Sequence, residues 1–273
     1  MSAQNQTKQM TAPDFKARKG GDPLVCLTAY TTRMAEIMDP HVEMMLVGDS
    51  VGMVMHGLKS TLQVSLEMML MHGASVVRGA RQALVVVDMP FGTYESSPQQ
   101  AFDSAARIMR ETGCGGVKLE GGTHMAETVA FLVARGIPVM GHVGLTPQAI
   151  NTLGGYRARG QSDAEERKIE EDAKAIVEAG AFGLVIEGVV ETLAAKLAKE
   201  CHETPIIGIG GSPSCDGQIL VVDDMLGLFE RVPKFVKKYA ALAGVVEEAV
   251  QKYAEEVKTR QFPAPAHCYT RKS

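Results

Sequence analysis

The chain has 273 residues, 45% hydrophobic and 22% charged, with 28 Gly and 12 Pro; this composition excludes a disordered or collagen-like chain and leaves ample apolar material for a core. Twenty-eight basic against 32 acidic residues give a net charge of -4, which provides no basic footprint for a nucleic-acid backbone and points to small-molecule chemistry. Five cysteines (Cys26, Cys114, Cys201, Cys215 and Cys268) form no CxxC pair, residues 1–22 hold no apolar leader, and nothing approaches the ~18 consecutive apolar residues of a spanning helix, so a cytoplasmic protein off the membrane is expected.

Taken in chain order, residues 1–22 are polar and read as a frayed or arm-like N-terminal segment. From 23 onward, short β-branched or Leu-rich runs alternate with longer stretches of helical period, the pattern of a parallel sheet with crossover helices. The predicted strands are 23–29, 42–48, 83–88, 116–120, 137–141, 182–187, 205–209 and 219–222. Helices are predicted at 32–38, 64–80, 98–112, 124–135, 163–179 and 190–200. A final helix is predicted over 233–258, with Phe235, Tyr239, Leu242, Val246, Ala249 and Tyr253 on one face. Eight strands suit a (β/α)8 TIM barrel of about 250 residues. A doubly wound sheet would want a glycine-rich phosphate loop after its first strand, and 28–32 has no glycine. With no linker in view, the expected organisation is an N-terminal arm (1–22) and one barrel domain (23–273) that carries a C-terminal helical extension. The connection 146–163 is long and rich in Gly and Arg, which reads either as a mobile loop over a site or as a surface insertion.

Four acidic residues close predicted strands: Asp49, Asp88, Glu120 and Glu187. In a barrel every strand's C-terminal end opens on the face that bears the active site. Neighbouring strands lie about 4.8 Å apart, so the acids of strands two, three and four can converge on one cation. Oxygen-only ligation suits Mg2+. Each acid taken singly has a plainer reading as the cap of a following turn. Four together are harder to dismiss, because buried carboxylates are costly without partners. Lys118 lies two residues before Glu120 on the same strand face. It reads either as that glutamate's salt-bridge partner or as a group that holds a substrate carboxylate. His142, placed directly after strand five, reads as a donor to a substrate oxygen or as a satisfied structural histidine. Gly208, Gly210 and Gly211 follow strand seven and do not complete a dinucleotide fingerprint; they suit close backbone approach to a ligand or to a neighbouring loop.

Several ordered blocks resemble one family. LVGDSVGMVMHG (46–57), VVDMPFGTY (86–94), GGVKLEGG (115–122), PVMGHVGLTPQ (138–148), GGYRARGQ (154–161), EAGAFGLVIEGV (178–189) and GIGGSPSCDGQILVVDD (208–224) closely resemble the ketopantoate hydroxymethyltransferases, barrels of the phosphoenolpyruvate/pyruvate type. The resemblance implies transfer of a hydroxymethyl group from 5,10-methylenetetrahydrofolate to 3-methyl-2-oxobutanoate, the first committed step toward pantothenate and coenzyme A. It further implies Mg2+ on Asp49 and Asp88, with Glu120 coordinating it directly or through water. The 2-oxo acid would chelate that ion while Ser50 and Lys118 hold its carboxylate, Glu187 would be the general base, and the assembly would be a homodecamer. The chain departs from the family's usual pattern at Gly211-Ser212, at Val190 and at Thr31. A Mg2+-dependent lyase or aldolase of the isocitrate lyase and phosphoenolpyruvate mutase group shares the same acids and is the alternative enzyme. A non-catalytic binding protein on this barrel is the third reading, disfavoured by the intact set of acids.

Overall fold

Leu24–Thr28 (β1), Met44–Val47 (β2), Leu84–Asp88 (β3), Gly116–Glu120 (β4), Val139–Gly144 (β5), Gly183–Glu187 (β6), Ile206–Ile209 (β7) and Gly217–Leu220 (β8) form eight short parallel strands in a computed structural model that describes residues 8–271. Each pairs with its neighbour in sequence, and β8 returns to β1 with Leu24 opposite Gly217, so the sheet closes into a barrel. Strands such as LVVVD are buried along their whole length, as expected where helices cover the outside and side chains fill the inside. The helices begin where short polar side chains cap them. Thr31, Ser65, Ser97 and Ser162 each accept from a backbone N–H of the first turn, satisfying a donor the helix leaves open. Their spans, Thr32–Met38, Leu66–Gly79, Pro98–Thr112, Ala126–Val133, Asp163–Glu178 and Glu191–Glu200, match the predicted helices to within about two residues at most ends.

On three of the strands the inward face runs from apolar or small to charged. On β3 the sequence is Leu84, Val86, Asp88; on β4 it is Gly116, Lys118, Glu120; on β6 it is Gly183, Val185, Glu187. Leu84, Val86, Met140, Val185, Ile207 and Ile219 belong to one buried cluster in the lower barrel, and the polar residues lie above it.

That cluster also takes in the N-terminal segment. Ala12–Lys16 forms one helical turn under a Thr11–Asp14 capping box. Phe15 is fully buried against Phe182, ring edge to face at 5.9 Å. Gly183 makes room, since a Cβ there would sit 2.8 Å from Met140 and 3.3 Å from Phe15. Lys19 then pairs with Asp216 at 2.7 Å and donates to the Ala198 carbonyl. The segment is therefore a plug for the barrel floor. Its sequence looks like a loose arm because a single Phe does the anchoring and no period announces it.

Two strand predictions shift. β5 continues to Gly144, because 139–144 pairs with β6 as far as Glu187, so His142 lies inside the strand and not after it. β8 starts at Gly217, where a Cβ would meet the Leu24 carbonyl oxygen at 2.4 Å; only glycine permits that pairing. The long connection after β5 is also more ordered than an open loop. It contains a 3-10 turn (Pro147–Ala149) and a short helix (Ile150–Leu153). Arg159 pairs with the segment after β6, its N–H donating to Gly188 O at 2.8 Å and its carbonyl accepting from Val190 at 3.0 Å.

The chain divides into two compact units after Val221, with no linker at the boundary. In the second, Leu242–Lys258 is helical, nine residues shorter at its start than predicted. The reason is non-local: the Tyr239 and Leu242 N–H groups donate to Met225 and Leu226, so the backbone that would have made the first helical turns is bonded elsewhere. No helix among the described residues is long and apolar enough to cross a membrane.

Candidate active site

Register brings the strand-end residues together. Asp88 on β3 is opposite Lys118 on β4, Glu120 is opposite His142 on β5, and Gly144 is opposite Glu187 on β6. Adjacent residues in a parallel ladder point to the same face, so all of these side chains enter the barrel mouth. Asp49 arrives from the turn after β2. Its N–H donates to Asp88 Oδ2 at 3.1 Å, and its side chain takes no part in capping the next turn. Ser50 Oγ lies 2.8 Å from Tyr30 OH. A Cβ at Gly48 would sit 2.8 Å from Ser50 Oγ and 3.6 Å from Asp88 Oδ2, so glycine keeps the space between them open.

Lys118 Nζ forms its ion pair with Asp88 Oδ1 at 2.7 Å, across strands, and not with Glu120 two residues along its own. It also lies 3.3 Å from His142 Nδ1. His142 spans the mouth: Nδ1 is 3.5 Å from Glu120 Oε1, and Nε2 is 3.3 Å from Glu187 Oε2. Asp49, Asp88, Lys118, Glu120 and His142 are all buried, whereas the Glu187 side chain retains 16% exposure and faces the opening.

Two further buried residues complete the cluster. Gln148 Nε2 donates to Asp49 Oδ2 at 2.9 Å and to the Met89 carbonyl at 3.0 Å, while its backbone N–H donates to Glu120 Oε2 at 2.9 Å. Tyr94 OH donates to Gln148 Oε1 at 2.6 Å and accepts from the Glu120 N–H at 3.2 Å. Sequence reasoning assigned neither residue. Both lie in blocks that resemble the family, but in turns, where no period shows which way a side chain points.

The electrostatics are those of an acidic pocket short of positive charge. Burial, then the charges of Asp88 and Glu120, push the Asp49 carboxyl up to about 8. Burial also raises Asp88, against the pull of Lys118. Burial opposes the Lys118 charge, but Asp88, Glu120 and Asp49 outweigh it and hold the ammonium protonated well above its ordinary range. Burial and Lys118 oppose a charged His142, yet its contacts with Glu120 and Glu187 push it up to about 9. Four acidic side chains (Asp49, Asp88, Glu120, Glu187) thus share the mouth with Lys118 and His142, a deficit of positive charge that a cation would relieve. The donors nearest that deficit are oxygens, which suits a hard ion. Among the described residues no three His, Cys, Asp or Glu side chains stand as a closed ligand set; Glu120 is held off by the Gln148 N–H and His142. Two carboxylates, with water and ligand oxygens for the rest, are what Mg2+ characteristically takes.

The glycine turn after β7 serves packing. Cβ atoms at Gly208 and Gly211 would meet Gln218, Cys215 and Ala194, and Ser212 bonds Glu191 at 2.7 Å.

Fold and site are those of a TIM barrel with a buried acidic pocket at its mouth. A phosphonopyruvate hydrolase solved with oxalate and Mg2+ superposes with a TM-score of 0.60 at 12% identity, over 94% of this chain and 93% of that one. A 2,3-dimethylmalate lyase superposes at 0.59 and 14% identity, over 94% and 90%, and a phosphonomutase homologue from Burkholderia cenocepacia at 0.62 and 15%, over 91% and 99%. At those identities the likeness is one of fold. The family model for ketopantoate hydroxymethyltransferase matches residues 9–265. Proteins named 3-methyl-2-oxobutanoate hydroxymethyltransferase from Sphingopyxis alaskensis and Rhodospirillum centenum are each 60% identical, over 96% and 98% of this chain and 91% and 98% of theirs. The chain belongs to the ketopantoate hydroxymethyltransferase family and is a hydroxymethyl-transferring enzyme.

Proposed function

We propose that the enzyme transfers the one-carbon unit of 5,10-methylenetetrahydrofolate to C3 of 3-methyl-2-oxobutanoate, with water supplying the hydroxyl oxygen and tetrahydrofolate leaving, to give 2-dehydropantoate for pantothenate synthesis. The observation that carries this reading is the buried pocket in which three acids, Asp49, Asp88 and Glu120, meet Lys118, with the partly exposed Glu187 at its edge. Asp49 and Asp88 would hold Mg2+, whose chemistry when bound is Lewis-acid stabilisation of charge on the 2-oxo group. Ser50 Oγ and the Lys118 ammonium would receive the substrate carboxylate. Glu187 takes the C3 proton; its separation from the Asp49/Asp88 pair lets it address carbon while the other residues hold oxygens. His142, with Nε2 3.3 Å from Glu187 Oε2, keeps that carboxylate aimed into the mouth and offers a donor to a substrate oxygen. The same reading makes the enzyme a cytoplasmic homodecamer without nucleic-acid or membrane partners, for which analytical ultracentrifugation is the check on assembly.

The test is isotopic. Glu187→Gln should retain binding of Mg2+ and 3-methyl-2-oxobutanoate but lose exchange of the C3 proton for deuterium, by a factor of about 10²–10⁴. Exchange at the wild-type rate would reject Glu187 as the base. A turnover assay with and without methylenetetrahydrofolate separates transferase from lyase, since product formation that ignores the folate would reject the transfer reaction.

A further inference from the structure

Gln148 is placed where four segments distant in sequence meet: the turn after β2, the turns after β3, the end of β4 and the turn after β5. Its polar atoms are fully used. Both amide hydrogens go to acceptors, Asp49 Oδ2 at 2.9 Å and the Met89 carbonyl at 3.0 Å, and a carboxylate and a carbonyl can only accept. The amide orientation is therefore settled by its partners, with Oε1 turned to the Tyr94 hydroxyl at 2.6 Å. Tyr94 is in turn fixed by the Glu120 N–H. The Gln148 backbone N–H takes Glu120 Oε2. Asp49 Oδ2 is thus committed to the Gln148 side chain and Glu120 Oε2 to its backbone N–H, and Glu120 Oε1 is turned to His142 Nδ1 at 3.5 Å, so that Asp49 Oδ1 is the carboxylate oxygen of this pair with no hydrogen bond among the described residues.

The chemistry of the group matters as much as its position. A lysine or arginine at 148 would also bind Asp49, but it would supply the charge the pocket lacks and compete with a cation. A neutral amide aligns Asp49 without neutralising it. A buried carboxylate crowded by Asp88 and Glu120 has every reason to rotate or to take up a proton, and a donor on one oxygen opposes both.

We propose that Gln148, backed by Tyr94, is a positioning residue for the divalent cation: it sets the Asp49 carboxylate to present one oxygen to the ion and holds Glu120 back from direct ligation. This rests on the reading that Asp49 and Asp88 hold such an ion. Groups that orient metal-binding side chains contribute about 10–100-fold to metal affinity.

The experiment is calorimetric titration of the full chain with Mn2+ and with Mg2+, followed by 3-methyl-2-oxobutanoate, for wild type, Gln148→Met and Tyr94→Phe. Gln148→Met keeps the volume and the backbone N–H but removes the side-chain donors. It should weaken Mn2+ binding by about 10–100-fold and raise the KM for the oxo acid, with C3 exchange largely recovered at saturating Mn2+. Tyr94→Phe leaves Gln148 both of its donated bonds and should move in the same direction by a smaller factor. Unchanged Mn2+ affinity in both variants, with or without a fall in unfolding midpoint, overturns the positioning role and leaves the function reading intact. Wild type that binds neither ion nor oxo acid overturns both.

Discussion

Buried carboxylates in this chain do two different jobs, and the hydrogen-bond partners tell them apart. Asp39 is buried like Asp49, yet its Oδ1 accepts from the N–H groups of Arg81, Gln82 and Ala83, each at 3.0 Å. It anchors the turn before β3. Asp49 instead receives one side-chain donor and faces other acids, so its environment asks for a cation. Asp39→Ala, which leaves three backbone donors without their partner, should therefore cost about 2–3 kcal/mol of stability, read from urea unfolding, while Asp39→Asn, which keeps an acceptor oxygen, should cost less. At this scale Asp88, Glu120 and Glu187, which end strands, and Asp49, two residues past the end of β2, are legible in the sequence because strand ends in a barrel share one face. Gln148 and Tyr94 are not legible in that way. They act in turns, on partners 28 to 99 and 26 to 54 residues away, and no local pattern encodes such a meeting.

At the scale of elements, the plug is the part whose role differs most from its appearance. The polar stretch TAPDFKARKGGDP lacks the length and period of a stable helix, and five helical residues alone would not persist in water. What holds them is the insertion of Phe15 into the barrel floor, against Phe182 and opposite a glycine that makes way. Phe15→Ala should lower stability by about 3–5 kcal/mol, measured by guanidinium unfolding, without altering the residues at the mouth; C3 exchange per folded molecule should be retained. The helices with Ser or Thr caps were legible almost to the residue, because capping and periodicity are local. The C-terminal helix was not, because the backbone of Tyr239 and Leu242 is claimed by Met225 and Leu226, a contact that overrides the apolar period through Phe235 and Tyr239.

For the molecule as a whole, a slight acidic excess says little until its location is known. Four of the 32 acidic residues meet in one pocket with Lys118 and His142, and that deficit predicts that a divalent cation stabilises the fold. Mg2+ at 100 times its dissociation constant should add about 2.7 kcal/mol, seen as a rise in thermal midpoint that EDTA reverses; a midpoint indifferent to Mg2+ would count against the ion site. The sequence by itself determined the class of fold, the order of the strands and which acids stand at their ends, since alternation of period and the strand-end position are properties of consecutive residues. The tertiary structure alone decided that Lys118 pairs with Asp88 and not with Glu120, that His142 lies within β5 between Glu120 and Glu187, and that Gln148 joins Asp49 to Glu120. Those pairings depend on register between separate strands and on closure of the barrel, which bring distant residues within hydrogen-bond reach only when all eight strands are in place.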